Sequence, residues 1–114
     1  MAIDSELTKR FYKAIGIRKG VEEKRMMGGH CFMLRGHMLG GADRNAKTDY
    51  GRFMFRVGKE NESIALLMAG VSVVEQGGRR MGGMVFVDAD CCSESDLKVI
   101  AKLALDFVRE LPPR

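Results

Sequence analysis

The stretch from Lys24 to Val57, KRMMGGHCFMLRGHMLGGADRNAKTDYGRFMFRV, constrains the fold more than any other part of this 114-residue chain. It holds glycine pairs at Gly28-Gly29 and Gly40-Gly41 within apolar runs, with Arg35-Gly36 between them. Glycine inside a strand marks a bulge or a close backbone approach. Glycine in a tight turn supplies the positive φ that a short hairpin needs. The reading is a first strand from Val21 to Leu34, interrupted at Gly28-Gly29, then a turn at Arg35-Gly36 and a second strand from His37 to Ala42. A polar loop from Asp43 to Gly51 leads into a third strand, Arg52 to Val57. There Phe53, Phe55 and Val57 alternate with Met54 and Arg56, so the first set is expected to face a core.

Helices are expected on both flanks. Leu7, Phe11, Ala14 and Ile15 recur at helical spacing over residues 5–16, with Asp4 or Ser5 as cap and Gly16 as stop. After the third strand, Glu60 to Met68 reads as a short helix with Ile64, Leu67 and Met68 inward. Val71 to Glu75 and Met84 to Val87 read as the fourth and fifth strands, joined through Gly77-Gly78, Arg79, Arg80 and Gly82-Gly83. The longest helix is expected over residues 94–111, capped by Ser93, with Leu97, Ile100, Ala104, Phe107 and Leu111 buried. The order is α-β-β-β-α-β-β-α in a single domain, residues 1–114. No helix-long crossover separates the first three strands, so the expected class is α+β: two layers, with a five-stranded antiparallel sheet.

The chain is long enough to bury a core without staples. No apolar run approaches the ~20 residues of a membrane helix, and MAIDSELTKRF lacks the apolar core of a signal peptide. A cytoplasmic protein with no membrane contact is therefore expected. Three cysteines, Cys31, Cys91 and Cys92, make a poor disulfide framework and fit reduced thiols. The net charge of +4 is uneven. Residues 9–25 carry Lys9, Arg10, Lys13, Arg18, Lys19, Lys24 and Arg25 against only Glu22 and Glu23. Such a region is either a solvated helix face or an attraction for phosphate and acidic partners.

Motifs for chemistry are sparse. The segments RMMGGH at 25–30 and RRMGGM at 79–84 match neither a P-loop nor a dinucleotide fingerprint. His30 and Cys31 are adjacent and point to opposite faces of a strand, so they cannot share a metal; Cys91-Cys92 is equally awkward. Cys91 or Cys92 is the candidate for an exposed thiol. Asp88, Asp90, Glu94 and Asp96 surround the start of the last helix, where the dipole favours acids. No catalytic constellation, metal site or cofactor is expected. The nine methionines fit core gaps and adaptable contact surfaces. Lys24, Arg25, Arg79 and Arg80 are the candidate residues for contact with a protein or nucleic acid, with Arg52 and Arg56 as further members of a basic surface.

The segment Glu23-Lys24-Arg25-Met26-Met27-Gly28-Gly29 resembles the amino-terminal domain of the TfoX/Sxy competence-regulator family, with Met27 where an aromatic is common. The similarity continues through Phe32 to Gly41, Phe53 to Val57, Arg80 to Asp88, and the last helix with Leu111-Pro112-Pro113. The chain resembles a single-domain member. The resemblance implies a sheet-and-helix domain similar to secretion-chaperone-like folds. It further implies a bacterial co-activator of DNA-uptake competence that works through contacts with the transcription machinery. A homodimer is a further expectation of this reading. Two alternatives stand beside this non-enzymatic reading: direct nucleic-acid binding by the basic surface, and a small-molecule sensor or enzyme with a pocket between sheet and helices.

Overall fold

The computed structural model describes residues 5–26, 29–44, 48 and 50–112, apart from the side chains of Ser5, Met26 and Gln76. Its elements are α1 (Ser5–Ile15), β1 (Val21–Met26), β2 (Gly29–Leu34), β3 (His37–Arg44), β4 (Gly51–Arg56), α2 (Lys59–Ala65), β5 (Val71–Gln76), β6 (Arg79–Asp88) and α3 (Glu94–Arg109). The class is α+β with an open antiparallel sheet. The sheet has six strands rather than five, in the order β1-β2-β3-β4-β6-β5.

The extra strand comes from Val21 to Leu34. This segment is a hairpin, with Val21 opposite Leu34 and Met26 opposite Gly29. The chain therefore reverses where a bulge was expected; Met27 and Gly28 lie outside the described residues. A glycine pair in a strand is compatible with either outcome, and only pairing with the neighbouring strand decides it. Arg35 (φ 55°) and Gly36 (φ 83°) form the expected tight turn between β2 and β3, both in the left-handed region that primed hairpin turns require.

The alternation in β4 is as expected: Phe53, Phe55 and Val57 are fully buried. They meet Leu7 and Phe11 of α1 and Leu97, Ile100, Ala101, Ala104 and Val108 of α3 in one core. Phe11 stacks on Phe32 of β2 (centroids 4.0 Å apart) and on Phe55 of β4 (5.1 Å). The strand between those two is β3, and Gly40 is the residue beneath the Phe11 ring. A Cβ on Gly40 would lie 2.2 Å from the Met54 carbonyl oxygen and 3.1 Å from the ring. The glycine pair thus lets an aromatic sink onto the sheet.

Gly16 ends α1 with φ 75°, its N–H donating to the Tyr12 carbonyl. The expected cap Asp4 and the side chain of Ser5 lie outside the described residues. Ser93 caps α3, its hydroxyl accepting from the Asp96 N–H at 3.1 Å. In α2 the expected face is wrong. Glu62 and Ala65, three residues apart, turn inward, while Ile64 is 49% and Leu67 86% exposed; Met68 is partly buried. The inward turn of a carboxylate has a physical cause in β6, given below. No helix among the described residues is long and apolar enough to cross a membrane.

Candidate functional site

The four basic residues singled out in the sequence do not form one patch. Lys24 pairs with Cys31 and Arg25 with His30, so they are consecutive on β1 and point to opposite faces. Arg79 and Arg80 open β6, next to the other edge strand. Strands β2, β3 and β4 stand between β1 and β6, an offset of about 19 Å at the usual interstrand spacing.

Arg80 has a structural partner. Its guanidinium donates to Glu62 of α2, and the other carboxylate oxygen accepts from the Gly83 N–H at 2.8 Å. The Gly83 bond, then Arg80, holds the Glu62 carboxyl below its ordinary value. A buried N–H at this point of β6 needs an acceptor, and Glu62 supplies it. That requirement fixes the face of α2 and sends Ile64 and Leu67 outward.

A polar chain runs beneath α1. Tyr12 donates to Glu23 at 2.5 Å, Glu23 meets His30 Nε2 at 2.8 Å, and His30 Nδ1 lies 3.3 Å from the Thr8 hydroxyl. His30 and Tyr12 are buried. Burial first, and the Glu23 bond second, push the Tyr12 phenol up to about 12, so it stays a donor across the neutral range. Glu23 and His30 meet because Glu23 stands opposite Phe32 and His30 opposite Arg25: they are diagonal neighbours on the helix-side face. Sequence reasoning missed this group, since the contact exists only once Val21 to Leu34 folds as a hairpin. Hydroxyl, imidazole and carboxylate can relay a proton in principle. Here the chain joins α1 to the edge of the sheet. The neighbouring cleft is lined by Lys9, Tyr12, Lys13, Gly16, Ile17 and Arg18, and neither Thr8 nor His30 lines it.

Cys91 and Cys92 are poor nucleophiles. Cys91 is exposed, but Asp88 beside it raises its thiol. Cys92 is buried, and burial pushes it to about 11. Among the described residues no group of three or more His, Cys, Asp or Glu side chains could hold a metal ion.

The face of the sheet opposite α1 and α3 carries a second apolar cluster. Met54, Val74 and Met84 are buried, with Met38, Met81 and Phe86 packed against them. All six come from β3, β4, β5 and β6, and none from a helix. Arg52 lies over the Phe86 ring at 3.9 Å and is held by Asp43 at 3.0 Å. At the end of β4, Arg56 stands opposite Met84 and has no carboxylate partner among the described residues. There a cleft of about 580 Å³ opens between Arg56, Gly58, Lys59, Gly82, Gly83 and Phe107. The Arg56 guanidinium lies 5.5 Å from the Phe107 ring centre.

Compared with protein-family models, curated proteins and solved structures, the chain matches none.

Proposed function

We propose that this chain is a non-enzymatic bacterial interaction domain of the TfoX amino-terminal type. It acts in the cytoplasm through protein contacts in transcriptional regulation, in the setting of DNA-uptake competence. The topology would be akin to secretion-chaperone-like domains, as the sequence resemblance implies. The observation that carries the reading is the methionine cluster on the sheet face away from α1 and α3, to which no helix contributes.

Methionine side chains adapt to an incoming shape and contact aromatic and aliphatic groups equally well. The partner that fits is a protein surface with a small apolar patch and a carboxylate beside it. The patch would meet the partly buried Met38 and Phe86, with Met54 and Met84 buried behind them, and the carboxylate would meet Arg56. Arg80 is occupied by Glu62, so the contact assigned to this face uses Arg56 instead.

The test is expression of DNA-uptake genes in the bacterium that carries this gene. Deletion is expected to lower those transcripts, and the wild-type chain to restore them. Met38→Glu with Phe86→Glu should fail to restore them while circular dichroism stays native. Val99→Glu, on the exposed side of α3, should restore them. Full rescue by the Met38 and Phe86 variant would end the assignment of that face, and unchanged transcripts on deletion would end the reading itself.

A further inference from the structure

Within the basic segment at 9–25, the fold gathers three of the charges around one cleft. Lys9, Tyr12, Lys13 and Gly16 follow one another at i, i+3, i+4 and i+7 along α1, on a single helix face. With Ile17 and Arg18 they line an open cleft of about 410 Å³. Arg18 lies over the Tyr12 ring, its guanidinium carbon 4.0 Å from the centroid. That stacking restrains the side chain and leaves its N–H edge for a ligand.

None of Lys9, Lys13 and Arg18 has a carboxylate partner among the described residues. Arg10, one residue along, does: it reaches Glu94 at 2.9 Å and the Ala89 carbonyl. The nearest acid on the sheet, Glu23, is taken by Tyr12 and His30. Glu22 stands opposite Met33, on the face turned away from α1. Glu6, one turn before Lys9, pairs with none of the three. Three cations line one cleft, Glu23 beside it is bonded to Tyr12 and His30, Glu22 faces away, and Glu6 pairs with none of the three, so the cations form a place for an anion.

We propose that Lys9, Lys13 and Arg18 form a phosphate-binding track for the backbone of duplex DNA. The spacing of the lysines favours a polyanion strand over a single anion. Lys9 and Lys13 are four residues apart, which spaces them by about 6 Å along the axis of α1. A nucleic-acid strand presents phosphates in a continuous row, one per ~3.4 Å of axis. The Arg18 fork suits a pair of phosphate oxygens, and the lysines act as point charges beside it. The track carries no base-reading group, so it contributes affinity without sequence preference. It lies on α1, away from the methionine cluster, and its failure would leave the protein-contact reading untouched.

The experiment is a fluorescence-anisotropy titration of a short labelled duplex of mixed sequence at about 50 mM and about 200 mM salt. Wild-type affinity is expected to fall on the order of tenfold or more across that span, as two to three phosphate contacts require. Lys9→Glu with Lys13→Glu should lose on the order of tenfold at the lower salt. Lys98→Glu with Lys102→Glu, the same charge change on the exposed side of α3, should leave binding within about threefold. Lys9→Gln with Lys13→Gln serves if the reversed charges unfold α1. No binding at the lower salt, or equal losses in both variants, would overturn the proposal. So would competition by polyglutamate as effective as by unlabelled DNA, which would assign the cleft to an acidic protein.

Discussion

On the helix side of the sheet, Phe11 lies between Phe32 and Phe55 above Gly40, and Phe53, Val57, Val85 and Val87 close the layer without exposure. On the other side, the same β4 and β6 strands present Met54, Met84 and Phe86, and Arg52 lies over Phe86. The two faces share a backbone and differ in the kind of apolar side chain they carry. Rings and β-branched groups have few rotamers and specify one packing; methionine has three rotatable bonds and fits several. The helix face therefore supplies stability and uniqueness of fold. The methionine face is suited to accept something else.

Neighbouring residues on β4 give the sharpest way to break that comparison. Phe55→Ala removes a fully buried ring from the stack and is expected to cost about 3–5 kcal/mol in urea denaturation. Met54→Ala, on the opposite face, should cost about 2 kcal/mol, at the low end for a buried methionine, because its flexible neighbours collapse into the space. Equal losses would mean that the methionine face is packed as tightly as the core and is not adapted to a partner.

This asymmetry was partly legible in the sequence. Phe53, Phe55 and Val57 alternate with Met54 and Arg56 over one strand length, and period-two patterning in a strand is a direct record of which side chains share a face. Val21 to Leu34 was not legible in the same way. Its first half, VEEKRM, is charged on both faces because β1 is an edge strand, so no alternation separates one long strand from two short ones. In α2 the apolar residues pointed to the wrong face. A buried carboxylate answering a backbone N–H from a strand twenty-one residues away outranks the preference of Ile64 and Leu67 for the interior. For the candidate sites, composition revealed the basic segment at 9–25, but not which cations have partners. Arg10 and Arg80 look like their neighbours in sequence, and only the fold brings Glu94 and Glu62 to them.

Polar straps at both flanks of the helix side sharpen the comparison further. At the β6 flank, Glu62→Gln keeps the shape and an acceptor for the Gly83 N–H but removes the charge that both partners meet. The expected loss is about 1–2 kcal/mol at neutral pH, with the Arg80 share kept small by its exposure to solvent. The sign of the pH dependence follows from the lowered carboxyl. A group whose folded value is depressed adds stability that is fully present above the unfolded value, ordinarily 4.5, and is lost as pH falls through the folded one. The gap between wild type and Glu62→Gln should thus be full above pH 4.5 and close in more acid solution. A gap that stays constant with pH would show that the glutamine disturbs packing rather than charge.

At the β1 flank the strap is Tyr12, Glu23 and His30, and here the smallest effect is expected. Tyr12→Phe deletes one donor to a carboxylate, a bond type worth about 1.5–3 kcal/mol when fully desolvated. The Glu23 side chain is 40% exposed, so water replaces the lost donor and the net cost should be about 1 kcal/mol. The ring remains, and with it the platform beneath Arg18 and the edge contact with Phe32. Stability should drop slightly while DNA affinity changes little. Amide exchange in β1 and β2 provides the local readout, because Tyr12 and His30 tie this edge of the sheet to α1 beside the Phe11–Phe32 contact. Faster exchange confined to β1 and β2 would identify a strap on one edge. Faster exchange across β4 and β6 as well would place Tyr12 in the main core, and the division between a rigid centre and a tied edge would be lost.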